Sequence, residues 1–262
     1  MPRPGGIHAT ASSFTRSFHL ELETAHLLKR PLNLIFQISK KAKNRLRPYW
    51  LALNRVVSWL QLRPRITYIK FLRLFIAPSI PVQAEGKLYL HLGCGAVDHN
   101  KFINIDGYPF PHVHYVQSID RLPQFDDASV DLIYASHCLE HFSYGRTKAV
   151  LDEWYRVLKK GAVLRLSVPD FDKLVEIYTI HHHDLDMILP PLMGGQDNKY
   201  NYHLTALNKV NLSRLLQAVR FTEIREWQPG SGDLTTFDDF SIYKKEIAGK
   251  MYEISLNIEA IK

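Results

Sequence analysis

The sequence predicts an α/β domain on a largely parallel sheet, preceded by a basic helical leader. Three observations carry this. From residue 88 onward, apolar runs of strand length alternate with longer segments of helical period, the pattern of a sheet whose strands are joined by helices. Two neighbouring runs end on residues suited to a ligand: 88–92 leads into Gly93-Cys94-Gly95, and 102–105 ends in Asp106. Glycines at one strand tip let the backbone turn sharply and approach a ligand, and a carboxylate at the next can accept hydrogen bonds from ribose hydroxyls. Finally, charge divides the chain. Residues 1–86 hold 14 Lys and Arg against 3 Asp and Glu, whereas the other 176 residues hold 19 against 23. The basic excess therefore belongs to the leader, and a boundary falls near residues 81–86.

Taken in order, residues 1–15 are rich in Gly, Pro, Ser and Thr and predict disorder. Three segments that mix apolar and basic residues follow, at 27–43, 49–62 and 66–80. Trp50, Leu53, Val57 and Leu60 recur at helical spacing in the second, and Tyr68, Phe71, Leu72 and Phe75 form a stripe in the third. Prolines 31, 48, 64 and 78 mark starts or breaks. Such helices can present a solvated basic face while packing on the main domain, lie on an anionic membrane surface, or meet nucleic acid. The acidic balance of residues 87–262 and the lack of a clustered aromatic-basic motif argue against nucleic acid.

In the main domain, 88–92, 102–105, 113–117, 130–135 and 162–168 read as strands one to five. Residues 146–158 predict a helix with Val150, Trp154, Val157 and Leu158 on one face. Ser143 would cap its start, and Lys159-Lys160-Gly161 would close it. Residues 170–180 predict a second helix with Leu174, Ile177 and Tyr178 inward. The polar stretch 181–207 is long for a loop, and its glycine pair and rings suggest a lid facing substrate. A helix at 208–219, a strand at 222–227, a loop at 230–243 and a last strand at 253–261 complete the domain. That last strand points Ile254, Leu256, Ile258 and Ala260 inward and leaves one wetter face.

Composition bounds the setting. Hydrophobic residues make up 46%, enough for a real core. Two cysteines, Cys94 and Cys138, form no disulfide framework and suggest a reducing, cytoplasmic compartment, where they read as small buried residues. Residues 1–13 lack the apolar core of a secretory signal, and charge interrupts every apolar stretch before the length of a membrane-spanning helix.

Four blocks together resemble the class I S-adenosylmethionine-dependent methyltransferases: LHLGCG at 90–95, Asp106 closing the second strand, LPQFDDASVDLIYASHCLEH at 122–141, and LDEWYRVLKKGAVLRLSVPD at 151–170. The resemblance covers about residues 87–260. It is nearer to a subgroup that shares LHLGCG, NID, SHxLEH, a GGQD-type loop and a closing SLN strand, and that is often associated with surface polysaccharide synthesis. It implies a three-layer Rossmann-like sheet, mostly parallel with an antiparallel last strand, and S-adenosyl-L-methionine as cofactor. The implied acceptor is a small molecule or glycan, methylated on oxygen, with the leader placing the enzyme peripherally on the inner membrane face. An RNA methyltransferase and a non-catalytic cofactor-binding module are the alternatives. The expected cofactor residues are His91, Gly93, Cys94, Gly95, Asp106, Ser118, Ile119 and Asp120.

Several departures from the family pattern bear on this. His91 stands where the family has an acid near the methionyl amine. Val97 replaces the third glycine, and Ser118 stands where an acid commonly meets the adenine amine, so that Asp120 is the candidate substitute. Only 11 positions separate Gly95 from Asp106, so the first crossover helix must be very short or replaced by a loop, a spacing that also argues against NAD.

Methyl transfer to a hydroxyl requires removal of its proton, for which histidine is suited. His137, His141 and His203 are the candidate bases. Each has a plainer reading: a loop buttress for His137, a helix start for His141 and a solvated loop residue for His203. Asp170 can bind substrate or cap a helix, and Tyr202 is a substrate-contact candidate. Residues 137–141 also spell H-x-x-E-H, an inverted zinc-protease motif. That motif needs a continuous helix and a distant third ligand, whereas here it directly follows a buried strand, so no metal is expected.

Overall fold

A computed structural model of the chain describes Tyr68 and residues 79–81, 86–196, 199–231, 234 and 239–262. The chain divides into two compact units, Met1–Asn54 and Arg55–Lys262. The disordered start and, apart from Tyr68, 79 and 80, the three leader helices expected at 27–43, 49–62 and 66–80 lie outside the described residues.

Seven strands form one sheet in the order β3-β2-β1-β4-β5-β9-β6. They are β1 Tyr89–Leu92, β2 Ile103–Asp106, β3 Tyr115–Val116, β4 Val130–Ser136, β5 Leu158–Pro169, β6 Thr222–Glu226 and β9 Ser255–Ile261. The first five pair in parallel, and β9 inserts antiparallel between β5 and β6. The mostly parallel sheet with an antiparallel last strand in chain order is thus present. Helices α1 Thr147–Val157, α2 Phe171–Ile180, α3 Leu189–Met193 and α4 Lys209–Ala218 surround it, and β7 Lys244–Ile247 and β8 Lys250–Glu253 form a separate hairpin.

The central strands are apolar because they are covered on both faces. Leu90, Leu92, Ile105, Ile133, Ala135, Leu164 and Leu166 pack in one cluster with Val150, Trp154, Leu212 and Leu216 of α1 and α4. A second cluster joins Phe102, Leu132, Tyr134 and Trp227, with Val97 and Leu234 against it. No helix separates β1 from β2, as the short interval between Gly95 and Asp106 requires.

Several local expectations change. Lys159-Lys160-Gly161 does not close α1: the helix stops at Val157, and these residues already belong to β5. Gly161 has φ +77° and donates its N–H to Lys262 O at 2.8 Å, so the far end of β9 claims this segment. Ser143 supports α1 through its carbonyl, which accepts from Arg146 N and Thr147 N; no side chain caps the helix. The other face of β9 is the wetter one, as expected, but only in part: Asn257 and Ile261 are half-buried while Ser255 and Glu259 are buried. Glu259 is held there by Arg165 and Arg225. The 181–207 stretch is less free than a lid. It contains a 3-10 turn, Leu185–Met187, and α3. Leu204 N and Thr205 N both donate to Glu140 O, and Thr205 Oγ1 donates to Phe142 O.

Candidate active site

The glycine turn is built by its neighbours. Gly93 N and Cys94 N both donate to Ile105 O, at 2.8 and 3.4 Å, and Gly95 N donates to Asp106 Oδ2 at 2.8 Å. The β1 tip is thereby fastened to the β2 tip. Gly93 sits at φ +66°, and a Cβ on it would lie 2.7 Å from Cys138 Cβ. Gly95 sits at φ +54°, yet a Cβ there would meet nothing within 4 Å. Gly93 is therefore required by close packing, whereas Gly95 borders open space beside the Asp106 carboxylate.

Asp106 is half-buried, and its Oδ1 accepts from Tyr108 N at 2.6 Å. Each oxygen takes one backbone amide and keeps a second acceptor position for a ribose hydroxyl. Burial raises its carboxyl above the usual range, against the pull of those amides and of nearby histidines. His112, which sequence reasoning missed, steadies the turn through Nε2, 3.0 Å from Gly95 O. Ile119 is buried, comes within 3.8 Å of where a Gly93 Cβ would be, and its carbonyl accepts from Trp154 Nε1 at 2.8 Å. An apolar wall, one glycine bordering open space and a carboxylate with spare acceptor capacity fit an adenosine.

Two expected cofactor residues are differently disposed. His91 is 1% exposed and packs edge-on against Tyr134 and Phe102, with ring centroids 5.2 and 6.1 Å away. Burial, with the neighbouring His99 and His112, lowers its pKa to about 3. It is a neutral ring and cannot supply the charge of the acid it replaces. Asp120 forms an ion pair with Arg146. Burial works against its ionisation, but Ser118 and Arg146 outweigh it and hold the carboxyl low. The carboxylate expected at the adenine amine is thus paired with Arg146, the residue just before α1. Ser118 supports the ionised Asp120 carboxylate through its side chain.

The histidines after β4 gather around a residue that sequence reasoning did not assign. Glu140, in the 3-10 turn Leu139–His141, is 1% exposed, and neither carboxylate oxygen has a hydrogen-bond partner. His137 Nδ1 lies 3.4 Å and His203 Nε2 3.9 Å from Oε1. The His141 and His203 rings meet edge-on at 5.0 Å. Burial would raise the Glu140 carboxyl, but the adjoining His137 and the charges of His141 and His203 outweigh it and keep it below the usual range. His203 is lowered, chiefly by burial and against the pull of Glu140.

Hydrogen-bond directions then sort the rings. Ser255 Oγ gives its only proton to Phe240 O, so it must accept from His137 Nε2 at 2.8 Å. His137 also has φ +49°, an uncommon conformation for a non-glycine residue. Its Nε2–H is spent on Ser255 and its Nδ1 faces Glu140 Oε1 at 3.4 Å, so the ring links the turn after β4 to β9. Carbonyl oxygens only accept, so His141 Nδ1 donates to Tyr202 O at 3.0 Å and His203 Nδ1 to Pro191 O at 2.9 Å. In each of these two rings the lone pair is therefore on Nε2. Tyr202 contributes its carbonyl to this arrangement. Asp170 caps α2, its Oδ1 accepting from Asp172 N at 3.1 Å.

The two halves adjoin. Cys138, between His137 and Leu139, is the residue packed against Gly93. Above them, Tyr200 closes on Gly107, and Gly194 lies so near Asn201 O that a Cβ would come within 2.5 Å. Residues 199–203 thus run from the loop after β2, which Tyr200 touches, to the turn after β4, where His203 faces Glu140.

Residues 90–166 match the model of a family described as a methyltransferase domain. The stretch runs from β1 into β5 and holds the glycine turn, Asp106 and Glu140 with His137 and His141. By this domain the protein is a methyltransferase, and S-adenosylmethionine is the cofactor that the notch fits. No curated protein matches the chain. Among solved structures it is similar to an S-adenosylmethionine-dependent methyltransferase from Archaeoglobus fulgidus, with 17% identity, TM-score 0.43, 79% of this chain and 94% of that one covered. It is also similar to the 1,6-didemethyltoxoflavin-N1-methyltransferase of Burkholderia thailandensis, with 12% identity, TM-score 0.42 and coverages of 99% and 93%.

Proposed function

We propose that the protein methylates an oxygen of a sugar or glycan intermediate. The observation that carries this reading is the group of imidazoles around the buried Glu140 carboxylate, directly beside the glycine turn through the Cys138–Gly93 contact. S-adenosylmethionine supplies an electrophilic methyl group when bound. The residues of this chain do the rest. Gly95 and Asp106 place the nucleoside, Ile119 shapes its apolar side, and residues 199–203 limit water. A hydroxyl is a poor nucleophile until its proton leaves, and the Nε2 lone pairs of His141 and His203, beside an anionic Glu140, can accept it. The basic leader supports presentation of the acceptor at an anionic membrane surface. The full chain should then sediment with anionic vesicles and not with neutral ones.

The decisive assay supplies S-adenosylmethionine with a panel of glycosides, nucleotide sugars, amines and RNA, and measures S-adenosylhomocysteine release. A sugar acceptor should be turned over by the wild type and not by Asp106→Ala. Turnover confined to amines or RNA overturns the acceptor class. Cofactor that binds but is never consumed would make the protein a binding module.

A further inference from the structure

We propose that Glu140, His141 and His203 form a binding site for one divalent transition-metal ion, zinc being the best match. One ligand atom from each lies within 4.8 Å of the other two. The donor set is two imidazoles and one carboxylate, the combination that holds a catalytic metal while leaving coordination positions open.

Two independent features point to a ligand rather than to chance proximity. The Glu140 side chain is 1% exposed with both oxygens lacking a hydrogen-bond partner, a costly arrangement for a buried carboxylate unless a cation completes it. Each histidine also donates Nδ1–H to a backbone carbonyl, Tyr202 O for His141 and Pro191 O for His203. That is the outer-shell pattern of metal-ligating histidines: it fixes the tautomer and leaves Nε2 as the nitrogen that can bind a cation. In a neutral His203, Nε2 and Glu140 Oε1 face each other at 3.9 Å as two acceptors, and a metal between them converts this opposition into two bonds.

The ligand set is not the one H-x-x-E-H would give as a zinc-protease motif. His137 is turned to Ser255, Glu140 serves as ligand rather than base, and His203 arrives from the segment after α3. The proposed role rests on the oxygen-acceptor reading: an acceptor hydroxyl would complete the coordination, the metal would lower its pKa, and its proton would pass to solvent water instead of to a free imidazole.

The test uses the full chain, freed of metal by chelator and titrated with Zn²⁺ or with Co²⁺, whose tetrahedral absorption bands report the donor set. One equivalent should bind. Glu140→Gln and His203→Ala should each weaken it by more than about tenfold. His137→Ala should retain the ion, as should His182→Ala/His183→Ala, which removes exposed loop histidines. Binding of S-adenosylhomocysteine, measured on every variant, checks that each is folded. Failure to bind either ion overturns the proposal, as does binding that survives His203→Ala or vanishes with the 182/183 pair or with His137→Ala. Metal binding needs no methyl transfer, so it can stand if no acceptor is found, and acceptor turnover without metal would leave the methyltransferase reading intact.

Discussion

The buried His91 makes a sharp prediction about acid stability. Its folded pKa is about 3, against 6.5 for an exposed imidazole. Below pH 6.5 the unfolded chain binds a proton at this position that the folded chain does not. Stability therefore falls as pH drops, with a slope of about 1.4 kcal/mol per pH unit, until the folded ring titrates near pH 3. Between pH 6.5 and 5 the loss from this residue is about 2 kcal/mol, a sizeable part of a typical domain's stability. His91→Gln removes the term. Its stability relative to wild type should improve by about 2 kcal/mol on going from pH 7.5 to pH 5, measured by urea unfolding at each pH. Parallel stability curves for the two proteins would refute the argument. So would a pH inflection in S-adenosylhomocysteine affinity between pH 5 and 8 that disappears in His91→Gln, because a ring neutral to about pH 3 cannot produce one.

Two further outcomes follow from the geometry of the notch. Gly95→Ala, at φ +54° with open space around its new methyl, should cost only about 1–2 kcal/mol of stability but sharply weaken S-adenosylhomocysteine binding in calorimetry. Gly93→Ala adds a collision with Cys138 to the same backbone cost and should lose about 2–5 kcal/mol in urea unfolding; equal losses at the two positions would contradict the different packing. Trp154→Phe leaves the Ile119 carbonyl without its buried donor and should destabilise by about 1–3 kcal/mol, with weaker cofactor binding as Ile119 loosens; unchanged affinity would show that this wall does not matter.

Much of the fold is legible because the information is local. The buried strands β1, β2, β4 and β5 are apolar runs, and Leu174 and Ile177 mark the inward side of α2 by spacing alone. Asn208 and Asp170 announce helix starts that they do cap. The β7–β8 hairpin is harder to see. Its strands are largely exposed and charged, and its turn uses Ala248 and Gly249, both at positive φ, instead of the familiar Asn-Gly. Lys159-Lys160-Gly161 reads as a helix end because cations and glycine suit one. Only the arrival of Lys262 from the other end of the chain makes it strand.

The sequence by itself determined the cofactor notch, since a glycine turn and a carboxylate at adjacent strand tips are set by residue type and by the fixed geometry of a parallel sheet. Tertiary structure alone decided what lies beside it. Asp120 is paired with Arg146, His137 is hydrogen-bonded to Ser255, and His203 is carried to Glu140 by the chain beyond α3. Those partners are far apart in sequence, and which lone pair remains available depends on which carbonyl or hydroxyl each ring meets, a matter of packing that no local pattern encodes.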